Sequence, residues 1–167
     1  DDDPRLHIEI EINKESIRIK DNAGGIAWDD FPRAFEVGSP PPNPESLSVY
    51  GVGMKSAACW FAGHMQLTTS EIGDSKRRVV RMDFDKIIAE QIESVSVDVQ
   101  DAPPEEHGTE IVLTKLKHNI QGATHTKIRE HLGSIYRVLM RPGLITLSYR
   151  GDPIEVNDPD FLKAKFA

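Results

Sequence analysis

Only one cysteine, Cys59, occurs in the 167 residues, which excludes a disulfide framework and a cysteine-based metal site. It falls in an apolar run and reads as a small hydrophobe for packing. No apolar segment approaches the ~20 residues needed to span a bilayer, and no signal peptide opens the chain. The expectation is an intracellular protein (cytoplasmic if bacterial) with no membrane partner. Basic residues are also short: 20 Lys and Arg face 27 Asp and Glu, a net charge of −7. That balance argues against nucleic-acid backbone as the main partner. The one local basic cluster, Lys76-Arg77-Arg78 with Arg81, reads as a solvated strand end. Six histidines show no ligand spacing such as His-Glu-x-x-His, so zinc is disfavoured. There is no internal repeat and no low-complexity tract. The length suits a single domain over 1–167 with a sizeable core.

What is present is organised around Tyr50-Gly51-Val52-Gly53-Met54-Lys55-Ser56-Ala57. Two glycines one residue apart precede a lysine and an apolar run from Ser56 to Ala62, with Gly63 as the expected helix stop. Glycines allow close backbone approach, and the helix they open aims unpaired N–H groups at whatever lies there. The pattern suits a phosphate; alone, it equally describes a buried helix after a flexible turn. Met54 separates Gly53 from Lys55, so this is no Walker A loop. Position 56 is serine, so a dinucleotide or kinase glycine loop is excluded as well.

Upstream, Leu6, Ile8, Ile10 and Ile12 alternate with His7, Glu9 and Glu11, the period of a half-buried strand. A turn at residues 13–15 leads to a second strand with Ile17 and Ile19, giving an antiparallel hairpin with one wet face that carries His7. This strand ends in Asp21-Asn22-Ala23-Gly24-Gly25-Ile26. The segment is either a tight turn or a strand end that presents Asp21 as an acceptor, with glycines making room for a flat ligand. A short helix over 28–35, capped by Asp29 or Asp30, precedes the proline-rich 38–46, whose position suits a mobile flap. Strands follow at 66–71, 78–84, 95–99 and 108–113, with a turn at Gly73-Asp74. In the last of these, Thr109, Ile111 and Leu113 share a face. A helix over 126–140 has an apolar stripe of Ile128, Leu132, Ile135, Tyr136 and Leu139. A final hairpin turns about residues 150–152. On the late helix, His125 and His131 read as surface or packing residues.

Three motifs thus stand in order: Asp-Asn-Ala-Gly-Gly-Ile at 21–26, Tyr-Gly-Val-Gly-Met-Lys-Ser-Ala at 50–57, and Gly-Thr-Glu-Ile-Val-Leu at 108–113. Together they resemble the ATP-binding domain of the GHKL superfamily, over roughly residues 6–115. That group includes DNA gyrase B, the ninety-kilodalton heat-shock chaperone, MutL and sensor histidine kinases. Lys55 and the late Tyr136-Arg137 segment look most similar to its MORC-like branch. The fold expected is α+β, a two-layer sandwich of a mixed, mostly antiparallel sheet with helices on one face (the Bergerat type).

The resemblance implies roles for particular residues. Asp21 would accept a hydrogen bond from the adenine amine, Gly25 and Ile26 would pass close to the base, and Thr109 would join the water network beside Asp21. The backbone of Gly51, Val52, Gly53 and Met54 would meet the phosphates, with Lys55 as a charged contact, and 38–49 would be the lid. ATP with magnesium is the implied ligand. The implied activity is slow hydrolysis, water attacking the γ-phosphate, coupled to lid closure and homodimerisation in the parent protein. The client, DNA or protein, is not implied. Two departures stand out. Ala23 replaces the family's usual glycine, adding a methyl near the base. The helix that in the family carries the catalytic glutamate and the magnesium-binding asparagine has no counterpart before the first strand, so the domain reads as trimmed from a longer parent, with no catalytic residue of its own. Two rivals remain: a catalytically silent nucleotide-binding or scaffold domain, and the ATP-binding half of a histidine kinase.

Overall fold

The alternation of isoleucine and valine with charged residues builds one sheet, in a computed structural model that describes residues 5–35, 53–92 and 94–156. Its strands are β1 (Leu6–Ile12), β2 (Ser16–Asp21), β3 (Ala62–Ser70), β4 (Lys76–Asp83), β5 (Val97–Asp101), β6 (Gly108–Leu116), β7 (Ile145–Tyr149) and β8 (Asp152–Pro153). Their spatial order is β5-β4-β3-β6-β2-β1-β7-β8. Every neighbouring pair is antiparallel except β1 and β7, which run parallel. A parallel pair needs a long crossover, and the later helices between β6 and β7 belong to it.

Register decides what lies on each face. Ile17, Leu113, Met65 and Met82 are cross-strand partners in one row. Ile10, Ile19, Ile111, Leu67 and Val80 make the next. The third row on the same face changes character: Ile8, Asp21, Thr109, Thr69 and Arg78. Leu67, Met65 and Val80 are at most 1% exposed, so the first two rows are the core. Each such side chain removed from water contributes about 1.5–3 kcal/mol. The polar third row is where the core ends.

Helices cover this face. They are α1 (Phe31–Phe35), α2 (Gly53–Phe61), α3 (Phe84–Glu90), α4 (Ala123–Ile135) and α5 (Arg137–Met140). Ala58 of α2 and Phe84 of α3 are buried with the central rows, and Ile128, Leu132, Tyr136 and Leu139 pack against them. The opposite face is mostly polar, with Val79 buried among its charged and hydroxyl neighbours. There Arg18 bonds Glu110 at 2.5 Å in a half-buried pair and lies 3.8 Å from the exposed Glu9.

Several local expectations change. The glycine-loop helix ends at Phe61, and Gly63 is the second residue of β3 rather than a helix stop. A β-carbon there would approach Lys115 Cβ to 3.2 Å, so the small residue serves packing. The 28–35 segment opens as a 3-10 turn over Trp28–Asp30, which contains Asp29 and Asp30 and has no side-chain cap at its start. Helix α3, capped by Asp83, was not expected at all. The late helix breaks at Tyr136, and Ile135 is 51% exposed instead of lying in the stripe. His7 is half-buried, its ring bonded to Thr146 Oγ1 rather than open to water. His125 bonds the buried Tyr149 hydroxyl at 2.6 Å, the packing role expected of it.

The basic cluster is paired rather than open. Lys76 bonds Asp101, Arg77 bonds Glu106, and Arg81 bonds Asp98. Arg78 is buried, 7% exposed, where a solvated strand end was expected. Its Nη2 donates to Asp74 at 2.7 Å and its guanidinium lies 5.2 Å from the Trp28 ring centroid, while Nη1 has no hydrogen-bond partner among the described residues. The proline-rich segment, expected as a lid over 38–49, lies outside the described residues.

Candidate nucleotide site

Asp21 closes β2 in the polar row, opposite Thr109 on one side and Ile8 on the other. Its Oδ1 accepts two backbone hydrogen bonds, from Ala23 N–H at 2.9 Å and Thr109 N–H at 3.2 Å. The first is the short-range bond by which aspartate shapes a turn. The second ties that turn to the start of β6. With Oδ1 so engaged, Oδ2 accepts nothing among the described residues. Asp21 lines a cavity of about 1190 Å³ at this end of the sheet, together with Ala23, Gly24, Thr69, Gly108 and Thr109.

The loop after Asp21 is pinned residue by residue. Asn22 Oδ1 accepts from His7 N–H at 2.6 Å, and its Nδ2 donates to the Arg5 carbonyl at 3.1 Å. The His107 ring donates from Nδ1 to the Ala23 carbonyl at 2.8 Å. Ile72 N–H bonds the Gly24 carbonyl at 2.9 Å, and Ile26 N–H bonds Thr69 Oγ1, also at 2.9 Å. Gly25 has φ +73°, and a β-carbon built on it would lie 1.9 Å from the Ser70 carbonyl oxygen. Its lack of a side chain is therefore demanded by the approach to β3, whatever room it also leaves for a ligand. Ala23 is exposed and keeps a φ that is not positive, which is why alanine is accepted there.

Sequence reasoning quotes Gly108 only as the start of the third motif, without a role, and misses Thr69 altogether. Gly108 has φ +121°, and its β-carbon would meet the Asp21 carbonyl oxygen at 2.2 Å. Only a glycine lets β6 begin so close to the end of β2. Thr69, 1% exposed, gathers Ile26 N–H, the Gly108 carbonyl and Thr109 Oγ1 around one hydroxyl. A threonine in an alternating strand gives no local sign of this. The signal is the β3–β6 register, which sets Thr69 opposite Thr109.

The second motif contributes less to what is described. Gly51 and Val52 lie outside the described residues. Gly53 opens α2, and a β-carbon on it would meet nothing within 4 Å. Met54 packs against the core and Lys55 is half-buried. Thr69 thus links Ile26 to Thr109, and Thr109 N–H bonds Asp21; Asp21 and Thr109 line the cavity, whereas Gly25, Ile26, Gly53, Met54 and Lys55 do not. Among the described residues no three His, Cys, Asp or Glu side chains cluster as a metal's ligands.

Over residues 4–118 the sequence matches the family described as histidine kinase-, DNA gyrase B- and HSP90-like ATPases. The chain belongs to this ATPase family. ATP binding is what that membership implies. Among curated proteins no sequence relative matches. The fold of this ATPase domain is similar to the ATPase region of Saccharomyces cerevisiae topoisomerase II, with TM-score 0.64 and 13% identity. That match covers 93% of this chain and 44% of the other. The ATPase and transducer domains of Balamuthia mandrillaris topoisomerase II give TM-score 0.63 and 12% identity, again covering 93% and 44%. The Aquifex aeolicus MutL ATPase domain complexed with ADP gives TM-score 0.51 and 17% identity over 91% of this chain and 57% of its own. The chain thus spans about half the length of these relatives. No described helix is long and apolar enough to cross a membrane.

Proposed function

We propose that this domain binds ATP with Asp21 Oδ2 as the acceptor for the adenine amine. The observation that carries this reading is the division of labour within one carboxylate. Two backbone N–H groups hold Oδ1, and Oδ2 takes no bond among the described residues, on a side chain that lines the cavity. Gly25, Ile26 and Thr109 border the base. Backbone N–H groups of Gly51, Val52, Gly53 and Met54 receive the phosphates, with Lys55 as their charged contact. The open space at Gly53 supports such an approach. A purine with oxygen at its 6-position would leave the Asp21 acceptor unpaired, at a cost of about 1–3 kcal/mol.

ATP supplies a phosphoanhydride; in a longer protein its cleavage would be slow and coupled to closure of the 38–49 lid and to homodimerisation. Magnesium would be held by the phosphates and by a residue outside those described. Lys55 and Tyr136-Arg137 support placement in the MORC-like branch. The test is a thermal-shift series with ADP, a non-hydrolysable ATP analogue and GTP, each with and without magnesium. A ligand at 100 times its Kd adds about 2.7 kcal/mol of stability. Asp21→Asn keeps an oxygen for the two backbone N–H groups and replaces Oδ2 with a donor. The expected result is stabilisation by adenine nucleotides alone, lost in Asp21→Asn. Equal stabilisation of the variant, or of the native chain by GTP, would overturn the assignment. Adenine-specific binding with no phosphate release from the full-length protein would select the catalytically silent reading.

A further inference from the structure

Thr69 has no role in the reading above, yet its hydroxyl is the junction of the site. Ile26 N–H lies 2.9 Å from Oγ1, the Gly108 carbonyl oxygen 3.1 Å, and Thr109 Oγ1 3.1 Å. The threonine is 1% exposed, so water does not compete for these positions. A hydroxyl has one hydrogen and two lone pairs. Ile26 N–H can only donate, so it occupies a lone pair. The Gly108 carbonyl can only accept, so it takes the hydrogen. The remaining contact must then run from Thr109 to Thr69, with Thr109 as donor. The single hydroxyl hydrogen of Thr109 is thereby turned into the sheet.

We infer that Thr69 is a positioning residue for base selection: it fixes the polarity of the Thr109 hydroxyl, so that this hydroxyl offers the cavity lone pairs only. Beside Asp21 Oδ2 this makes a continuous acceptor edge, suited to a 6-amino purine and repelling a 6-oxo purine. Asp21 alone provides one acceptor, whereas Thr69 prevents its neighbour from rotating to offer a donor. The same hydroxyl holds Ile26 against β3, so the loop that borders the base and the residue that reads it are set by one group. The inference rests on the proposed adenine reading.

The experiment compares Kd for ATP and ITP, which differ at the 6-position, by calorimetry on the native chain, Thr69→Val and Thr69→Ser. Valine keeps the shape but removes the hydroxyl, which frees Thr109 to donate into the cavity. The expected result is an ATP-over-ITP preference in the native chain that falls by roughly tenfold in Thr69→Val, the worth of one hydrogen bond, and is retained in Thr69→Ser. A purely structural role for Thr69 would weaken both nucleotides equally and leave the ratio unchanged; that result overturns the inference while leaving the adenine reading intact. Absence of any ATP preference in the native chain would instead overturn the adenine reading, and this inference with it. Circular dichroism reports whether Thr69→Val is folded; if it is not, Thr69→Cys, a poor donor of similar size, carries the same comparison with the same two outcomes.

Discussion

Replacing Gly25 with alanine tests the loop geometry on which the site depends. The native φ of +73° lies in the left-handed region, which costs a side-chain-bearing residue about 1–2 kcal/mol. The added β-carbon would also sit 1.9 Å from the Ser70 carbonyl oxygen, where even 3.0 Å is scarcely ever seen. Relief requires the loop or β3 to move by about 1 Å, and forced overpacking of this kind costs typically 1–3 kcal/mol. Gly25→Ala should therefore lose about 2–5 kcal/mol, a large share of the 5–15 kcal/mol typical of a domain. Gly73→Ala is the internal control. Gly73 has φ +80° but nothing within 4 Å of its β-carbon, so only the backbone term of about 1–2 kcal/mol applies. Urea unfolding monitored by tryptophan fluorescence gives both values. If Gly25→Ala proves no less stable than Gly73→Ala, the close packing of the loop on β3 is wrong.

Gly53→Ala should behave in the opposite way, because its φ is not positive and its β-carbon meets open space. Stability should be unchanged or slightly raised, as expected for alanine in a helix, while affinity for the triphosphate falls if the backbone there meets phosphate. Calorimetry beside urea unfolding separates the two effects. Acid should weaken the cap of α3. The Lys86 backbone N–H donating to Asp83, and then the His64 ring 2.7 Å away, hold its carboxyl below the ordinary value of 3.8. A lowered folded value means that this stability is present above the ordinary value and is lost as pH falls through the folded one. Asp83→Asn should flatten that part of the Tm-against-pH curve below about pH 4, and an unchanged acid slope would contradict the assignment.

Much of the sheet was legible because period-two alternation is a local property. Ile8, Ile10, Ile17 and Ile19 announce their strands, and the paired register then follows from burying one face. Asp21 was legible as a strand end running into a glycine turn, and its Oδ1 does shape that turn by accepting from Ala23 N–H. What was not legible depends on contacts between distant residues. Helix α3 is only seven residues long, and its signals, Asp83 as cap and Ile87 beneath, sit at the end of a run that reads as strand. Arg78 follows two other basic residues, and nothing local says that its neighbour across the sheet is the buried Thr69. Gly108 and Gly63 look like ordinary small residues until Asp21 and Lys115 are brought against them.

The position of the site follows from how the core ends. Two rows of aliphatic side chains run across β4, β3, β6 and β2, and the next row on the same face replaces them with Arg78, Thr69, Thr109 and Asp21. At the rim of an apolar layer, polar side chains stay partly shielded from water, where each hydrogen bond is stronger and each missing partner costs more. Thr69 meets that condition with three partners and Asp21 Oδ1 with two. Asp21 Oδ2 has no partner among the described residues, and it belongs to a side chain that lines the cavity. A row that leaves one acceptor unmatched at the cavity has the polarity that the proposed amino group of the base would complement. The proposed specificity and the packing of the domain therefore depend on one register, and a slip of one residue in β6 would destroy both.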